Sequence, residues 1–341
     1  MPRIPPQVLR HAYYTEPLLA QLLPVCRTFA SANNELRWLR EHVQQDQTCL
    51  PSRHRQALKA LVERRARGEP LQYILGSEHF GDLEIVCKPG VLIPRQETAA
   101  SVSHLVRLLP SLLRLPTSTP LRVLDLCTGT GCIPLLFHHE FYAQAIHKRH
   151  QLDLQVMQIP FSNDTNDQAG AALRQLQFVK ADVLQSKDSG QRTTPSIEQV
   201  LQQVSEEHRK FQIVISNPPY ISTHEHKTVT SPSVRKYEPR LALVPIAAHH
   251  DNGIEDGNQF YPRLWRLADA VAAKVVLFEV GDLRQAVRVA DMAGAGSKWE
   301  RIEIWRDDPG HPSDNAALAR GRDGSYSIKG DGNARSVVAW R

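Results

Sequence analysis

Cysteine is scarce in this sequence and forms no metal-binding pattern. The five cysteines among 341 residues are odd in number, and none belongs to a C-x-x-C pair. This usage is typical of a reducing compartment and predicts no zinc framework. The histidine pairs His224/His226 and His249/His250 lack helical i, i+4 spacing and neighbouring cysteines, so no metal site is predicted there either. Long apolar runs are also missing: none approaches the ~20 residues that a membrane-spanning helix requires. No membrane segment is therefore predicted.

Acidic residues are scarce near the amino terminus. Arg3, Arg10 and Arg27 lie there, whereas Glu16 is the only acid before Glu35. An arginine-bearing, acid-poor start is typical of a mitochondrial transit segment. Three prolines among the first six residues interrupt an amphipathic helix, and a basic first helix of a folded domain explains the composition equally well. We therefore predict a mitochondrial location, with the cytoplasm as the alternative.

The bulk composition is that of an ordinary globular protein with room for two domains. Hydrophobic residues make up 41% and charged residues 23%, and the formal net charge is +5. This mild basicity does not by itself identify a nucleic-acid binder. Leucines at helical spacing predict a helical domain over residues 1–70. Short β-type runs punctuated by glycine and proline predict a β-hairpin linker over 71–97, followed by a larger domain over 98–341.

A strand followed by a glycine-rich turn predicts a ligand cradle. Arg122–Leu126 has strand character and includes Asp125, and Cys127-Thr128-Gly129-Thr130-Gly131 follows it directly. Glycines let a ligand approach the backbone, and the N–H groups of the next helix face its negative end. Pro134 replaces the third glycine of a dinucleotide fingerprint. The turn therefore suits S-adenosylmethionine better than a pyrophosphate.

A second strand ends in the sequence Asn217-Pro218-Pro219-Tyr220. The apolar run Ile213–Ser216 is typical of a buried strand, and two consecutive prolines make the following turn rigid. The Asn217 amide oxygen and the proline carbonyls can accept both hydrogens of a planar NH₂ group, against which Tyr220 can pack. This pattern predicts an enzyme that acts on an amide or amino nitrogen. A proline-stiffened structural turn is the alternative.

The remaining strands complete a seven-stranded α/β domain. Besides Arg122–Leu126, we predict strands at Leu154–Ile159, Leu176–Lys180, Phe211–Ser216, Lys274–Val280, Arg301–Trp305 and Arg335–Trp340.

Seven motifs together resemble the HemK/PrmC family of protein-(glutamine) methyltransferases. They appear in the family's order from Glu69 onward: GEPLQYILG (68–76), LIPRQET (92–98), DLCTGTG (125–131), SNPPYIS (216–222), YEPRLAL (237–243), FEVGDLRQA (278–286) and Asn333-Ala334-Arg335. The LIPR-x-ET element distinguishes this family from other N-P-P-Y enzymes.

The resemblance implies a fold and a reaction. The fold is a seven-stranded Rossmann-like class I S-adenosylmethionine-dependent methyltransferase domain with an antiparallel last strand, preceded by a helical substrate-recognition domain and a β-hairpin linker. The implied reaction methylates the side-chain amide of the glutamine in the Gly-Gly-Gln loop of a peptide-chain release factor, which would be the protein partner. We expect a monomer that binds no nucleic acid directly.

The resemblance also implies roles for individual residues. Asn217 would contact cofactor and substrate, and Pro218, Pro219 and Tyr220 would frame the glutamine amide. The cofactor-binding residues would be Asp125, Cys127, Thr128, Gly129, Thr130, Gly131, Asp182, Val183 and Asn217.

One position departs from the family pattern. The family has an acid at the end of the second strand that holds the ribose hydroxyls, whereas this sequence has Pro160 there. Loss of a charged acceptor typically costs ~1.5–3 kcal/mol. This departure leaves open a catalytically impaired paralogue that only binds a translation factor. A second alternative, an amino-methyltransferase acting on adenine in DNA or RNA, stays open because the N-P-P-Y turn also fits the exocyclic NH₂ group of a base.

Overall fold

The computed structural model describes most of the chain in two compact units. The described residues are 4–46, 48, 50–113, 121–143, 152–157, 177–185, 194–203, 206–245, 256–293, 298–312, 317–322 and 324–341. The first unit comprises Met1–Glu78, Val86–Ile93 and Val229–Pro239, and the second comprises His79–Ile85, Pro94–Thr228 and Arg240–Arg341. The domain bounds 1–70, 71–97 and 98–341 stay a prediction. None of the helices in the described ranges has the length and hydropathy to span a bilayer.

Helices dominate the first unit. Leucines at helical spacing form its core, where Leu19, Leu22 and Leu36 are fully buried. A partly buried ion pair joins two of these helices: Arg65 Nε donates to Glu35 Oε2 at 2.6 Å. The helices are α1 (Pro6–Thr15), α2 (Pro17–Cys26), α3 (Phe29–Gln45), α4 (His54–Ala66) and α5 (Leu71–Leu75), with a 3₁₀ turn at Pro51–Arg53.

A hairpin follows α5, and the division between the two units falls within it. Its strands are β1 (Ser77–Phe80) and β2 (Leu83–Val86). Beyond it, the buried Glu238 accepts a hydrogen bond from the Ile93 backbone N–H at 3.1 Å. This bond joins the LIPR and YEPR motifs, which the sequence separates by 145 residues.

The second unit alternates strands and helices. Its elements, together with one helix of the first unit (α10), are α6 (Gln96–Leu112), β3 (Leu121–Leu126), α7 (Cys132–Ala143), β4 (Leu152–Met157), β5 (Gln177–Phe178), α8 (Ile197–Gln202), β6 (Ile213–Ser216), α9 (Thr223–Thr228), α10 (Pro232–Tyr237), α11 (Tyr261–Ala270), β7 (Val275–Glu279), α12 (Leu283–Asp291), β8 (Arg301–Asp308), β9 (Ala317–Arg320), β10 (Ser325–Lys329) and β11 (Asp331–Trp340). Short 3₁₀ turns lie at Glu206–Arg209, Arg240–Ala242 and Asp256–Asn258.

The strands form one mixed sheet in the order β5-β4-β3-β6-β7-β11-β8-β10-β9. Strands β3 to β7 are parallel, and β11 is antiparallel to both β7 and β8. A strand is present at each of the seven predicted places, which confirms the Rossmann-like class. The predicted ends Ile159 and Leu176 lie outside the described residues, and β5 ends at Phe178 rather than at Lys180. The described sheet has two further strands, β9 and β10, which the sequence analysis missed because their short, partly polar sequences carry no buried-strand signature.

Side chains alternate between the two faces of this sheet. Val123, Ile215 and Leu277 pack with the core under α6 and α7, whereas Leu124, Val214 and Phe278 pack with the core under α8, α11 and α12. Because successive strand residues point to opposite faces, Asp125 and Glu279 belong to the α6 and α7 side. Two polar residues thus lie on the same face at the carboxyl ends of their strands.

Candidate functional site

The two predicted motifs meet at the centre of the sheet. Strands β3 and β6 are parallel neighbours in which Leu126 pairs with Ser216, and Ser216 Oγ donates to the Leu126 carbonyl at 2.9 Å. Cys127 and Asn217 are therefore the first residues beyond two adjoining strand ends. From β3 the chain continues to β4, towards one edge of the sheet, whereas from β6 it continues to β7, towards the other edge. The place between β3 and β6 is therefore a topological switch point, where open α/β sheets bind ligands.

The cradle, residues Cys127 to Gly131, has the backbone of a close-approach turn. Cys127, Gly129 and Gly131 have positive φ values of 63°, 59° and 79°. A Cβ on Gly129 would meet nothing within 4 Å, so the space beside its Cα is open. Helix α7 begins at Cys132 and tolerates Pro134 in its first turn. The predicted glycine-rich turn before a helix is thus present.

Asp125 supplies a buried acceptor below this cradle. Its Oδ2 accepts a hydrogen bond from the Thr128 hydroxyl, and its Oδ1 has no hydrogen-bond partner in the described part of the chain. Burial raises the pKa of this carboxyl to about 8, against the opposing effect of Thr128. A buried oxygen without a partner is costly unless a ligand satisfies it. The unpartnered oxygen therefore fits a ligand that donates a hydrogen bond, such as the ammonium group in the methionine part of S-adenosylmethionine.

Asp182 and Val183 lie in a turn close to the cradle. Asp182 Oδ1 accepts from the backbone N–H groups of Leu184 and Gln185 at 2.9 and 3.2 Å. Burial raises the pKa of the Cys127 thiol, a hydrogen bond with Ser216 lowers it, and the charges of Asp125 and then Asp182 add smaller upward contributions. The Val183 carbonyl accepts from Arg263 Nε at 3.2 Å. The turn is thus within electrostatic range of the cradle, while the contact of Asp182 and Val183 with adenine stays a prediction.

The segment expected to hold the ribose lies outside the described residues. Strand β4 is described to Met157, which pairs with Leu126, and Pro160 follows in the undescribed range 158–176.

The N-P-P-Y turn has two buried prolines between two half-buried polar residues. Pro218 and Pro219 are buried, and Asn217 and Tyr220 are partly accessible. Asn217 Nδ2 lies 3.5 Å from Thr98 Oγ1, and the Tyr220 hydroxyl donates to Glu279 Oε1 at 3.2 Å. The prolines therefore hold the turn rigid while its two polar side chains reach hydrogen-bond partners on other elements.

Glu279 is a buried carboxylate that the sequence analysis did not assign to the site. It ends β7 with 1% exposure, and its Oε2 accepts from the Thr98 hydroxyl at 2.5 Å. Burial raises its pKa to about 7, although hydrogen bonds from Thr98 and Tyr220 and the charge of Arg335 act in the opposite direction. The sequence signal for Glu279 was a carboxylate at the end of a continuous apolar strand, because a buried carboxylate needs hydrogen-bond partners that are also buried.

Gln285 is the second residue that was missed. Its Nε2 lies 3.1 Å from the Tyr220 carbonyl, 3.0 Å from the Gly257 carbonyl and 3.0 Å from Asn258 Oδ1. Its Oε1 accepts from the Gly281 N–H at 2.7 Å. This buried side chain therefore holds the N-P-P-Y backbone to two other loops. Its place in the FEVGDLRQA motif was the only signal for it.

The doubly wound sheet with an antiparallel last strand, the glycine-rich cradle after β3 and the N-P-P-Y turn after β6 define a class I S-adenosylmethionine-dependent methyltransferase. Residues 18–76 match the family model described as the PrmC N-terminal domain. The mitochondrial MRF1 N(5)-glutamine methyltransferase MTQ1 of Saccharomyces cerevisiae is 34% identical over 72% of this chain and 68% of its own length. The chain belongs to the family of release factor glutamine methyltransferases.

Two further relatives extend the similarity. The probable MRF1 mitochondrial N(5)-glutamine methyltransferase mtq1 of Schizosaccharomyces pombe is 33% identical over 82% of this chain and 86% of its own length. The release factor glutamine methyltransferase of Thermodesulfovibrio yellowstonii is 30% identical over 76% of this chain and 80% of its own. The predicted family resemblance is confirmed.

Proposed function

We propose that this protein transfers a methyl group from S-adenosylmethionine to the side-chain amide nitrogen of the glutamine in the Gly-Gly-Gln loop of a peptide-chain release factor. The single observation that carries the proposal is the N-P-P-Y turn beside the cradle, at the switch point of the sheet. The names of the family relatives support the same substrate.

The chemistry requires orientation of the amide rather than a strong base. An amide nitrogen is a poor nucleophile because its lone pair is delocalised into the carbonyl. Asn217 Oδ1 and the Pro218 carbonyl are acceptors suited to the two N–H hydrogens, and holding reactants in near-attack geometry can supply ~7–11 kcal/mol. The acceptors also stabilise the positive charge that develops on nitrogen.

S-adenosylmethionine supplies an electrophilic sulfonium methyl group when it is bound. The nitrogen lone pair forms the new N–C bond, the electrons of the C–S bond return to sulfur, and nitrogen then loses one proton to solvent. Asp125 and the cradle residues Cys127–Gly131 would hold the methionine part, and Asp182 with Val183 would approach the adenine.

The names of the relatives support a compartment and a partner. Two yeast relatives carry names that place them in mitochondria, which supports a mitochondrial location for this chain. The release factor is the proposed partner, and the monomeric state and the absence of direct nucleic-acid binding stay predictions.

The test is a methyl-transfer assay read by peptide mass spectrometry. Wild-type protein, S-adenosylmethionine and a release factor with Gly-Gly-Gln should yield one added methyl on that glutamine. The same factor with Gly-Gly-Asn is the matched control, and an adenine-containing oligonucleotide tests the other N-P-P-Y substrate. Failure to methylate the factor, beside an active bacterial family member, would refute the proposal.

A further inference from the structure

A continuous set of hydrogen bonds connects the two polar residues of the N-P-P-Y turn through other elements. Asn217 Nδ2 lies 3.5 Å from Thr98 Oγ1, which is 2.5 Å from Glu279 Oε2, and the Tyr220 hydroxyl lies 3.2 Å from Glu279 Oε1. Thr98 lies in the first turn of α6 and Glu279 at the end of β7. Two residues remote in sequence therefore bridge Asn217 and Tyr220.

The hydroxyl of Thr98 has one hydrogen, and this determines the direction of the bonds. An ionised carboxylate only accepts hydrogen bonds, so Thr98 donates its hydrogen to Glu279. Its oxygen then offers only lone pairs towards Asn217, and the NH₂ end of the Asn217 amide must face it. The Asn217 carbonyl oxygen is thereby turned away from Thr98, available as an acceptor.

We propose that Thr98 and Glu279 are positioning residues for the transfer reaction, which orient the Asn217 amide so that its oxygen faces the substrate NH₂ group. This rests on the proposed function. The 3.5 Å separation between Asn217 and Thr98 is long, and catalytic hydrogen bonds of this kind commonly shorten when substrate binds. The role differs from that of Asn217 itself, because Glu279 acts through Thr98 and Thr98 acts through Asn217.

The arrangement requires an ionised Glu279. A protonated carboxyl can donate to Thr98, which frees the Thr98 hydrogen to point at Asn217 and favours the opposite amide orientation. The groups around Glu279 are Glu97 and Thr98 of α6, Tyr220, and Arg335 of β11. Helix α11 contributes Tyr261, whose hydroxyl donates to the Glu279 backbone carbonyl, and Cys132 of α7 lies within electrostatic range. Arg335 is the cation that favours the ionised form.

The experiment compares substitutions of the bridge in the full-length chain by single-turnover methylation of the release factor. Thr98→Val keeps the shape but removes the hydroxyl, and should lower the methyl-transfer rate by about tenfold or more. Thr98→Ser keeps the hydroxyl and should stay within about threefold of wild type. Ser101→Ala is the matched control, because this buried hydroxyl on α6 bonds only to Ser336 at 3.0 Å among the contacts described. It should leave the rate unchanged.

A pH profile separates this role from a merely structural one. The wild-type rate should rise with pH as Glu279 ionises, near its pKa of about 7. The uncharged Glu279→Gln should lose that rise while the effects of other titrating groups remain. An unchanged rate in Thr98→Val, or the same rise in Glu279→Gln, would overturn the inference even though wild type methylates the factor. A wild-type chain that leaves the glutamine unmethylated would overturn both the inference and the proposed function.

Discussion

Gln285 Nε2 lies 3.1 Å from the backbone carbonyl oxygen of Tyr220, and Gln285 is 6% exposed. A side chain on α12 thus holds the backbone that follows the two prolines, while Pro218 and Pro219 restrict φ from within the turn. The rigidity of the turn therefore has two separate origins, one local and one tertiary.

Replacing Gln285 should lower both stability and activity. Gln285→Leu removes the hydrogen-bond partner of the Tyr220 and Gly257 backbone carbonyls, of which the bond to Gly257 is buried, and should cost ~1–3 kcal/mol of unfolding free energy. We also expect a reduced kcat, since the tyrosine of the turn is no longer held in place. Urea unfolding and steady-state methylation at a temperature where both proteins are folded provide the measurements.

The matched control for this change is Gln199→Leu. Gln199 also bonds to backbone, as it accepts from Ser196 N–H at 2.8 Å in the capping box of α8. The Gln199→Leu variant should lose about 1 kcal/mol of unfolding free energy, while its kcat should stay unchanged. If both variants lose activity in proportion to their loss of stability, the prediction that Gln285 supports kcat by holding the N-P-P-Y turn is wrong.

Asn217→Ala should abolish transfer while the protein remains folded. Removal of one preorganised polar group from an active site typically lowers kcat by ~10²–10³. Asn217 is expected to contact the cofactor as well as the substrate, but the cradle is unaltered, so the loss of this one contact should raise the Kd for S-adenosylmethionine by less than about tenfold. Thermal melting tests whether the variant is folded, calorimetric titration measures the Kd for S-adenosylmethionine, and the methylation assay measures kcat. Near-wild-type turnover would show that Asn217 has no role in the transfer.

Gly129→Ala should weaken cofactor binding beyond its effect on stability. The new Cβ would occupy the open space of the cradle, and a non-glycine residue at φ +59° costs ~1–2 kcal/mol. We expect at least about a tenfold increase in the Kd for S-adenosylmethionine.

Gly90→Ala is the control that separates the effect of backbone strain from the effect of a changed cradle shape. Gly90 also has positive φ, +92°, and a Cβ there meets nothing within 4 Å, but it lies outside the cradle. It should lower the melting temperature without changing the Kd. Equal Kd values for Gly129→Ala and wild type would show that the cofactor does not use the cradle.

Glu279→Gln should stabilise the protein at high pH and not at low pH. Burial raises the folded-state pKa of Glu279 from 4.5 to about 7. Stability is therefore greatest below the unfolded pKa and falls as pH rises through the folded pKa, by about 3 kcal/mol at most. Glutamine has no charge at any of these pH values, so the Glu279→Gln protein does not lose this stability as pH rises.

The measurement for this prediction is the unfolding free energy of both proteins at pH 5 and pH 8.5. Asp125, whose pKa is about 8, shifts stability in the same direction but is present in both proteins, so their difference isolates Glu279. A difference that stays constant between the two pH values would contradict the prediction.

Much of the fold and site was predictable because the signals are local. A β-branched run before two prolines identifies β6 and its turn, and glycines at the required spacing identify the cradle, since steric restriction acts within a few residues. Seven strands were predicted from runs of apolar residues. The two short strands β9 and β10 were not predicted, because β10 is defined by its pairing with β8 and β9 by its pairing with β10.

The sequence by itself determined the chemical groups: an amide oxygen after a rigid strand end, a glycine-rich turn, and the family motifs. Only the tertiary structure decided how those groups are held. Thr98 and Glu279 are 181 residues apart and Asn217 and Thr98 are 119 apart, and they meet because α6 packs on the face of the sheet to which β7 directs Glu279. Local propensity carries no information on which helix covers which strand end, since burial of the whole apolar face decides that.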